Sequence, residues 1–341
     1  MNILNTKQSY HMAGLLTLSL RLVVGWVYFS AFWRRIFLKP ALDPEFTGYL
    51  GHKFNHFLPN SLGIKPIIEW LLENPDSLLV SMVIFTTIEG VVGLLFMLGL
   101  FTRAMSIFIT GLAFAILLAA GSLGTTCLDE WQIGILGIAA GFTIFLSGSG
   151  KYSIDYWLMK TNKKITKSNW FNWLGSGELP ISINRLNKIV FSGSMVILFI
   201  TLFTNQYFHG GLWGSLHNMS IKPKVEITQA KLTNDSLSFQ LFRVEGVDVY
   251  GSFLIDVTLT NNAGDKILQL EAKDLAKFPK EQITNKYISK IEPGKHSMII
   301  PLGAKGTVTV IDDKLAILPK GDYKLKLTDV SGKNWTVNIV K

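Results

Sequence analysis

One cysteine, Cys127, stands among 341 residues. Its isolation excludes an internal disulfide framework, a structural zinc site built from cysteines and an iron–sulfur cluster held by this chain alone. Charge is also scarce: 17% of residues are charged, against about a quarter in a soluble domain, and mean hydropathy is +0.32. Neither disorder nor an ordinary cytosolic enzyme fits that balance. Three motifs are missing: Gly-x-Gly-x-x-Gly after a strand, Gly-x-x-x-x-Gly-Lys-Ser/Thr and Cys-x-x-Cys-His. Their absence removes support for a Rossmann flavin or NAD site, ATP hydrolysis and covalent c-type haem. Net charge is +9, yet the basic residues are spread over lysine-rich connectors and the C-terminal region without a nucleic-acid motif, so nucleic acid is not an expected partner.

Apolar residues, by contrast, come in long runs. A bilayer's hydrocarbon, about 30 Å thick, needs about 20 residues of helix. Five segments approach that length: Ala13–Trp33, Leu78–Leu100, Ala104–Gly121, Trp131–Ser147 and Ile189–Gln206. The first stands where a signal peptide would, but it is long, carries Arg21 and continues into Trp33-Arg34-Arg35 without a small-residue cleavage site, so it reads as a retained helix. Lys151, Lys160, Lys163, Lys164, Lys167 and Arg185 place the connector before the fifth segment on the cytoplasmic side of an inner membrane. Counting back puts Arg103 on that side too. The 34–77 connector, the Cys127 turn and everything after the fifth segment then lie outside. Arg34, Arg35 and Lys39 flank a helix on the side that should be poor in positive charge, which suits contact with an anion.

The composition changes after His217. Short alternating runs such as Val225-Glu226-Ile227, Leu237-Ser238-Phe239, Leu254–Leu259, Met298–Ile300, Thr307–Val310, Tyr323–Leu327 and Trp335–Ile339 are separated by turn sequences such as Asn261–Gly264 and Pro319-Lys320-Gly321. Period-two alternation broken by such turns specifies half-buried antiparallel strands. Seven or so strands in about 120 residues suggest a β-sandwich. The expected fold is an α-helical membrane bundle of four helices plus a fifth tethering helix, followed by an all-β, sandwich-like extracytoplasmic domain.

Cys127 lies in a polar, glycine-rich turn, Gly121 to Gln132, with Asp129, Glu130 and Trp131 close by. A lone cysteine is commonly a small buried hydrophobe. Carboxylates alone oppose thiolate formation, so a reactive Cys127 needs a cation, and Arg34 and Arg35 share its expected side. Arg21 and Glu89 fall at comparable depths if both helices run straight, which reads as a structural ion pair or as a proton-carrying group for a lipid-soluble redox partner. Trp33 and Trp131, with Trp26, Tyr28 and Tyr49, suit an interfacial aromatic belt and also the face of a quinone ring. His52 and His56 share a helix face without an obvious third ligand, so no metal is expected. That helix should rest on the bundle through Phe54, Phe57 and Leu58, with Lys53 as a secondary anion contact. The stretch Tyr207–Asn218 is a hinge or a lid contributing His209 or Trp213.

Arg21 and Gly25, the run Glu89-Gly90-Val-Val-Gly93 and the Gly99-Leu-Phe-Thr-Arg103 turn resemble the DoxX/DoxD membrane proteins. Trp33-Arg34-Arg35 and Thr126-Cys127 resemble the DoxD branch, the membrane part of thiosulfate:quinone oxidoreductase. His209-Gly-Gly-Leu-Trp-Gly214, with its tethering helix and β region, resembles the companion subunit DoxA. On this resemblance the chain divides into a DoxD-like four-helix domain (1–160), a basic cytoplasmic connector (161–187), a fifth membrane helix with juxtamembrane segment (188–218) and a DoxA-like β-sandwich (219–341). The resemblance implies oxidation of thiosulfate to tetrathionate with membrane quinone as co-substrate; no tightly bound flavin, haem or metal is expected. The residues assigned on this basis are Cys127, Asp129 and Glu130 for chemistry, Arg34, Arg35, Lys53 and His209 for the anion, and Trp33, Trp131, Glu89 and Arg21 for quinone. A non-enzymatic or partner-dependent membrane module and a related sulfur-anion:quinone oxidoreductase are the competing readings, and a homo-oligomer is left open.

Overall fold

The computed structural model describes residues 3–124, 129–161, 163–217, 219–247 and 252–341. They form two compact units. The first comprises Met1–Tyr49, Leu79–Gly121 and Leu128–His217; the second comprises Leu50–Leu78, Ser122–Cys127 and Asn218–Lys341.

In the first unit, α1 (Ile3–Leu16) and α2 (Leu18–Trp33) meet at Thr17 with a bend of 51°. The Thr17 hydroxyl donates to the Ala13 carbonyl at 3.0 Å and lies 3.0 Å from the Ser147 hydroxyl, which diverts the backbone where a straight helix was expected. The long apolar helices α5 (Pro75–Leu98), α6 (Thr102–Ala120), α7 (Asp129–Ser147) and α10 (Ile183–His209) each have the length and composition to cross a bilayer, and the α1–α2 pair makes a fifth span if counted as one. The chain is therefore membrane-embedded. α10 is bare along its apolar stretch until Thr204, Phe208 and His209, as a helix facing lipid should be. Between α7 and α10 lie two short helices, α8 (Ile154–Lys160) and α9 (Asn169–Leu174).

The second unit is β-rich. One antiparallel sheet has the order β1 (Lys224–Leu232), β2 (Ser236–Glu245), β8 (Lys305–Ile311), β5 (Ile283–Asn285). The other has the order β10 (Asn334–Val340), β9 (Asp322–Asp329), β3 (Ser252–Asn261), β7 (Met298–Ile300), β6 (Glu292–Pro293), with β4 (Lys266–Glu271) also paired to β3. Leu237, Phe239 and Leu241 of β2 share one buried core with Leu254, Val257 and Leu259 of β3 and Leu325 and Leu327 of β9. Alternate residues of both sheets thus close on each other, as the period-two pattern requires.

The helices α3 (Gly51–Phe57) and α4 (Lys65–Glu73) belong to this β-rich unit, not to the bundle where the apolar face of α3 was expected to rest. Asn55, fully buried, donates through Nδ2 to the Gly303 carbonyl at 3.0 Å and accepts through Oδ1 from the Ser289 amide at 3.0 Å. Gly303 has φ +73, and a Cβ there would stand 1.7 Å from the Asn55 carbonyl oxygen, so only glycine fits. Asn60 donates to the Val244 carbonyl at 2.8 Å, and Lys286 pairs with Glu69 at 3.2 Å and Glu73 at 2.7 Å. The segment after the first span and the region after the last therefore occupy the same side of the membrane.

Candidate functional site

Glycines set the packing of α2 against α5. A Cβ at Gly25 would stand 2.4 Å from the Met97 side chain and 2.9 Å from the Gly93 carbonyl; one at Gly93 would stand 2.6 Å from the Phe29 nitrogen. Without side chains at these positions the two backbones touch, as small residues allow where water cannot drive association. The helices run antiparallel, Gly25 facing Gly93 and Phe32 facing Gly90, and the next step along the seam brings Arg35 to Glu89.

Arg35 ion-pairs with Glu89 and also reaches the Thr86 hydroxyl at 3.4 Å. The Glu89 side chain is 3% exposed and that of Arg35 23%. Residues Arg34–Leu38 form a π-type turn closed by the Lys39 amide on the Arg34 carbonyl at 2.9 Å, and the widened backbone lets two consecutive arginines diverge. Arg35 turns inward while Arg34 stays exposed, its Nε donating to the Ser30 carbonyl at 3.3 Å. Trp33 is exposed and packs at a tilt against Phe37 at 4.5 Å and Phe29 at 6.2 Å, an aromatic ladder on the outside of the same seam.

The pairing of Arg21 with Glu89 does not occur. Arg21 donates instead to the Ser149 carbonyl at 2.7 Å and to the Tyr152 carbonyl, beside Gly99 at the far end of α5. The break at Thr17 places Arg21 only a few residues into α2, and 14 residues of helix, about 21 Å, separate it from Arg35. Around it lies a polar cluster that sequence reasoning did not assemble. Asp155, fully buried, accepts from the Phe101 amide at 2.8 Å, the Thr102 amide at 3.0 Å, the Thr102 hydroxyl at 2.8 Å and the Ser176 hydroxyl at 2.9 Å, capping α6 from outside its own segment. Arg103 donates to the carbonyls of Phe145 at 2.9 Å, Asn172 and Gly177 at 2.6 Å. The one hint in the sequence was the polar Thr102-Arg103 pair opening an apolar helix.

α2 also runs antiparallel to α7, with Arg21 at Ser149 and Tyr28 at Gly137. The Trp33–Arg35 end of α2 and the start of α7 therefore share one end of the bundle. Cys127 and Thr126 lie outside the described residues, as does the side chain of Asp129. The stems flanking them are described. His209, 3% exposed at the end of α10, lies with Nε2 3.1 Å from the Gly121 carbonyl, before the cysteine, and its ring packs edge-on against Trp131, after it. Trp131 Nε1 donates to the Thr204 hydroxyl at 2.9 Å. With Nε2 protonated toward Gly121, Nδ1 carries a lone pair, and it is buried with no partner among the described residues. Glu130 is half-buried. The following segment turns back, the His217 amide reaching the His209 carbonyl at 3.1 Å and the Gln206 side chain accepting from the amides of Leu212 and Trp213. It contributes His209; Trp213 projects outward, 69% exposed.

In the β-rich unit, Lys53 is exposed on α3, and His52 Nδ1 lies 3.0 Å from the Ser289 hydroxyl. Burial first, and His56 second, hold the His52 imidazole below its ordinary pKa. The Ser220 hydroxyl donates to the Gly124 carbonyl. Glu69 accepts from the Tyr287 hydroxyl and from Lys286; the Tyr287 bond is the larger influence holding the Glu69 carboxyl below its usual range. Burial, then that same bond, raises the Tyr287 phenol.

Residues 16–182 match the family described as TQO small subunit DoxD, and residues 208–338 match the family described as TQO small subunit DoxA. His209 lies in the second match, while Gly121 and Trp131 lie in the first.

Proposed function

From the premise that this chain belongs to the DoxD/DoxA subunit families of thiosulfate:quinone oxidoreductase, as a fusion of the two, we propose that it oxidises thiosulfate to tetrathionate and passes the electrons to membrane quinone. One observation carries the reading furthest: His209, from the DoxA match, binds Gly121 and packs on Trp131, the two stems of the DoxD turn that contains Cys127. The fusion thus joins a residue of the DoxA match to both stems of a turn in the DoxD match.

In this reading the exposed Arg34 receives the thiosulfate dianion and Arg35 adds positive potential behind it. Attraction to a fixed guanidinium favours both the anion and a thiolate at Cys127. His209 Nδ1 takes the thiol proton, and Trp131 fixes the ring that does so. Thiolate and thiosulfate join through a new sulfur–sulfur bond, and the two electrons released pass to quinone. A second thiosulfate then attacks the outer sulfur, the cysteine–sulfur bond breaks, tetrathionate leaves and the thiolate is restored. Two thiosulfate ions, one quinone and two protons thus become one tetrathionate and one quinol. Quinone approaches from the lipid along the ladder of Trp33, Phe37 and Phe29, and the protons reach it from Glu89, with Asp129 and Glu130 as relays from water. Arg21, about 21 Å from this end, serves structure. The lysine-rich Arg103 end faces the cytoplasm, and the β-rich unit and the Cys127 turn face outward.

Intact-mass analysis after mixing the purified chain with thiosulfate and an oxidised soluble quinone tests the covalent step. A thiosulfate-sized adduct confined to Cys127, and lost on adding excess thiosulfate, is expected. Full turnover with no adduct under any quench would defeat the thiol scheme while leaving the overall reaction intact.

A further inference from the structure

Two cavities open at the Arg103 end of the bundle, away from the start of α7. One, of about 430 Å³, is the more polar of the two, its lining including His11, Ser149, Tyr156, Lys160 and Ser176. The other, of about 780 Å³, is largely apolar and is lined by Phe142, Leu146, Leu179, Ile183, Leu186 and Val190. Both lie within about 300–1,000 Å³, the range of small-molecule sites. They share Tyr10 and Glu178. Tyr10 is a fixed wall: its hydroxyl donates to the Leu146 carbonyl at 2.8 Å and its ring lies 5.4 Å from the Arg103 guanidinium. A polar chamber beside an apolar one is the shape of an amphiphile.

The setting identifies which amphiphile. Ile183 and Val190 are exposed on α10, so the apolar chamber opens toward lipid. Tyr152, Trp157, Trp170 and Trp173 are exposed on the connector, and Lys151 and Lys163 lie 6.0 and 5.9 Å from the rings of Tyr152 and Trp157, the arrangement of a segment lying in the headgroup layer. From Lys151 to Arg185 the connector carries six basic residues against two acidic ones, and Asp155 is buried among four donors. Lys160 and Glu178 both line the first cavity, and the remaining basic residues leave the connector as a whole net positive. We propose that the paired cavities bind an anionic phospholipid of the adjoining leaflet, its phosphate in the polar chamber near Lys160 and His11 and an acyl chain along Leu146, Leu179 and Leu186. Basic pockets beside membrane helices recognise headgroups in this way. A quinone serving the opposite end of the bundle does not belong here, because Phe142, the lining residue nearest the start of α7, is 13 residues of helix, about 20 Å, from Asp129.

The test is lipid retention by the full chain in detergent, read by native mass spectrometry with equal amounts of phosphatidylglycerol and phosphatidylcholine. The wild type should keep one phosphatidylglycerol in at least tenfold preference. Lys160→Glu should erase the preference, Leu186→Trp should lower retention of both lipids, and thermal unfolding of lipid-free protein should be the same for all three. Equal retention of the two lipids by the wild type, a preference that survives both substitutions, or displacement of the retained lipid by a soluble quinone analogue would each overturn the proposal. The readout needs no turnover, so it stands or falls separately from the thiosulfate chemistry.

Discussion

Removing Arg35 alone should harm the protein more than removing Arg35 and Glu89 together. Glu89 is 3% exposed and its carboxylate is satisfied by Arg35, so Arg35→Met strands a charge inside the bundle. Breaking a buried pair from one side costs about 3–5 kcal/mol, and the partial exposure of Arg35 favours the lower figure. For a helical region of this size that corresponds to a fall in Tm of about 6–20 °C. Glu89→Met leaves a cation that can turn toward the headgroups, so its cost is smaller, about 1–2 kcal/mol. The double substitution Arg35→Met with Glu89→Met removes both desolvation penalties and should return most of the loss. Thermal unfolding of the four proteins in one detergent, followed by tryptophan fluorescence, measures the coupling. If the two single losses simply add in the double variant, the pair does not exist in the folded protein and the account of the α2–α5 seam is wrong.

Other perturbations probe different parts of the molecule. Gly93→Val puts a branched side chain where a Cβ already meets the Phe29 backbone at 2.6 Å, so the purified variant should lose most of its folded yield by size-exclusion chromatography; normal yield would refute close α2–α5 contact. Asn55→Ala strands the Ser289 amide and the Gly303 carbonyl and should cost about 2–4 kcal/mol in chemical denaturation of the full chain. Because Glu69 has a lowered folded pKa, its contribution is full above the ordinary glutamate value and disappears as pH falls through the lowered one. Glu69→Gln should therefore flatten the acid limb of a stability–pH curve, and an unchanged limb would contradict the Tyr287–Glu69–Lys286 contacts.

Hydropathy exposed the spans because a membrane helix must be apolar along its whole length, and α5, α6, α7 and α10 lie over the runs read from the sequence. The seven alternating runs likewise became β1, β2, β3, β7, β8, β9 and β10. The strands β4, β5 and β6 escaped notice: two are of three residues or fewer, and β4 follows a turn with a pattern too brief to separate from a loop. The docking of α3 was illegible for another reason. Phe54, Phe57 and Leu58 announce a buried face without saying what buries it, and the partners of Asn55 lie more than 230 residues away in the chain. The Arg21–Glu89 pairing failed because depth was counted along a helix assumed straight, whereas Thr17 bends it. That Arg34, Arg35 and the start of α7 share one end did follow from counting helices, since antiparallel neighbours leave no other choice. A lid contributing His209 was one of two alternatives for its segment, and the contacts of His209 with Gly121 and Trp131 depend on how α10 lies along α7.

Thiosulfate-dependent reduction of a soluble quinone by the detergent-purified chain, wild type beside Cys127→Ala, tests the central claim most directly. The account predicts quinol and tetrathionate in equal amounts from the wild type and no turnover above background from the variant at unchanged folded yield. Turnover that survives the loss of the thiol would contradict the mechanism, and a folded wild type inert with every quinone tried would contradict the function.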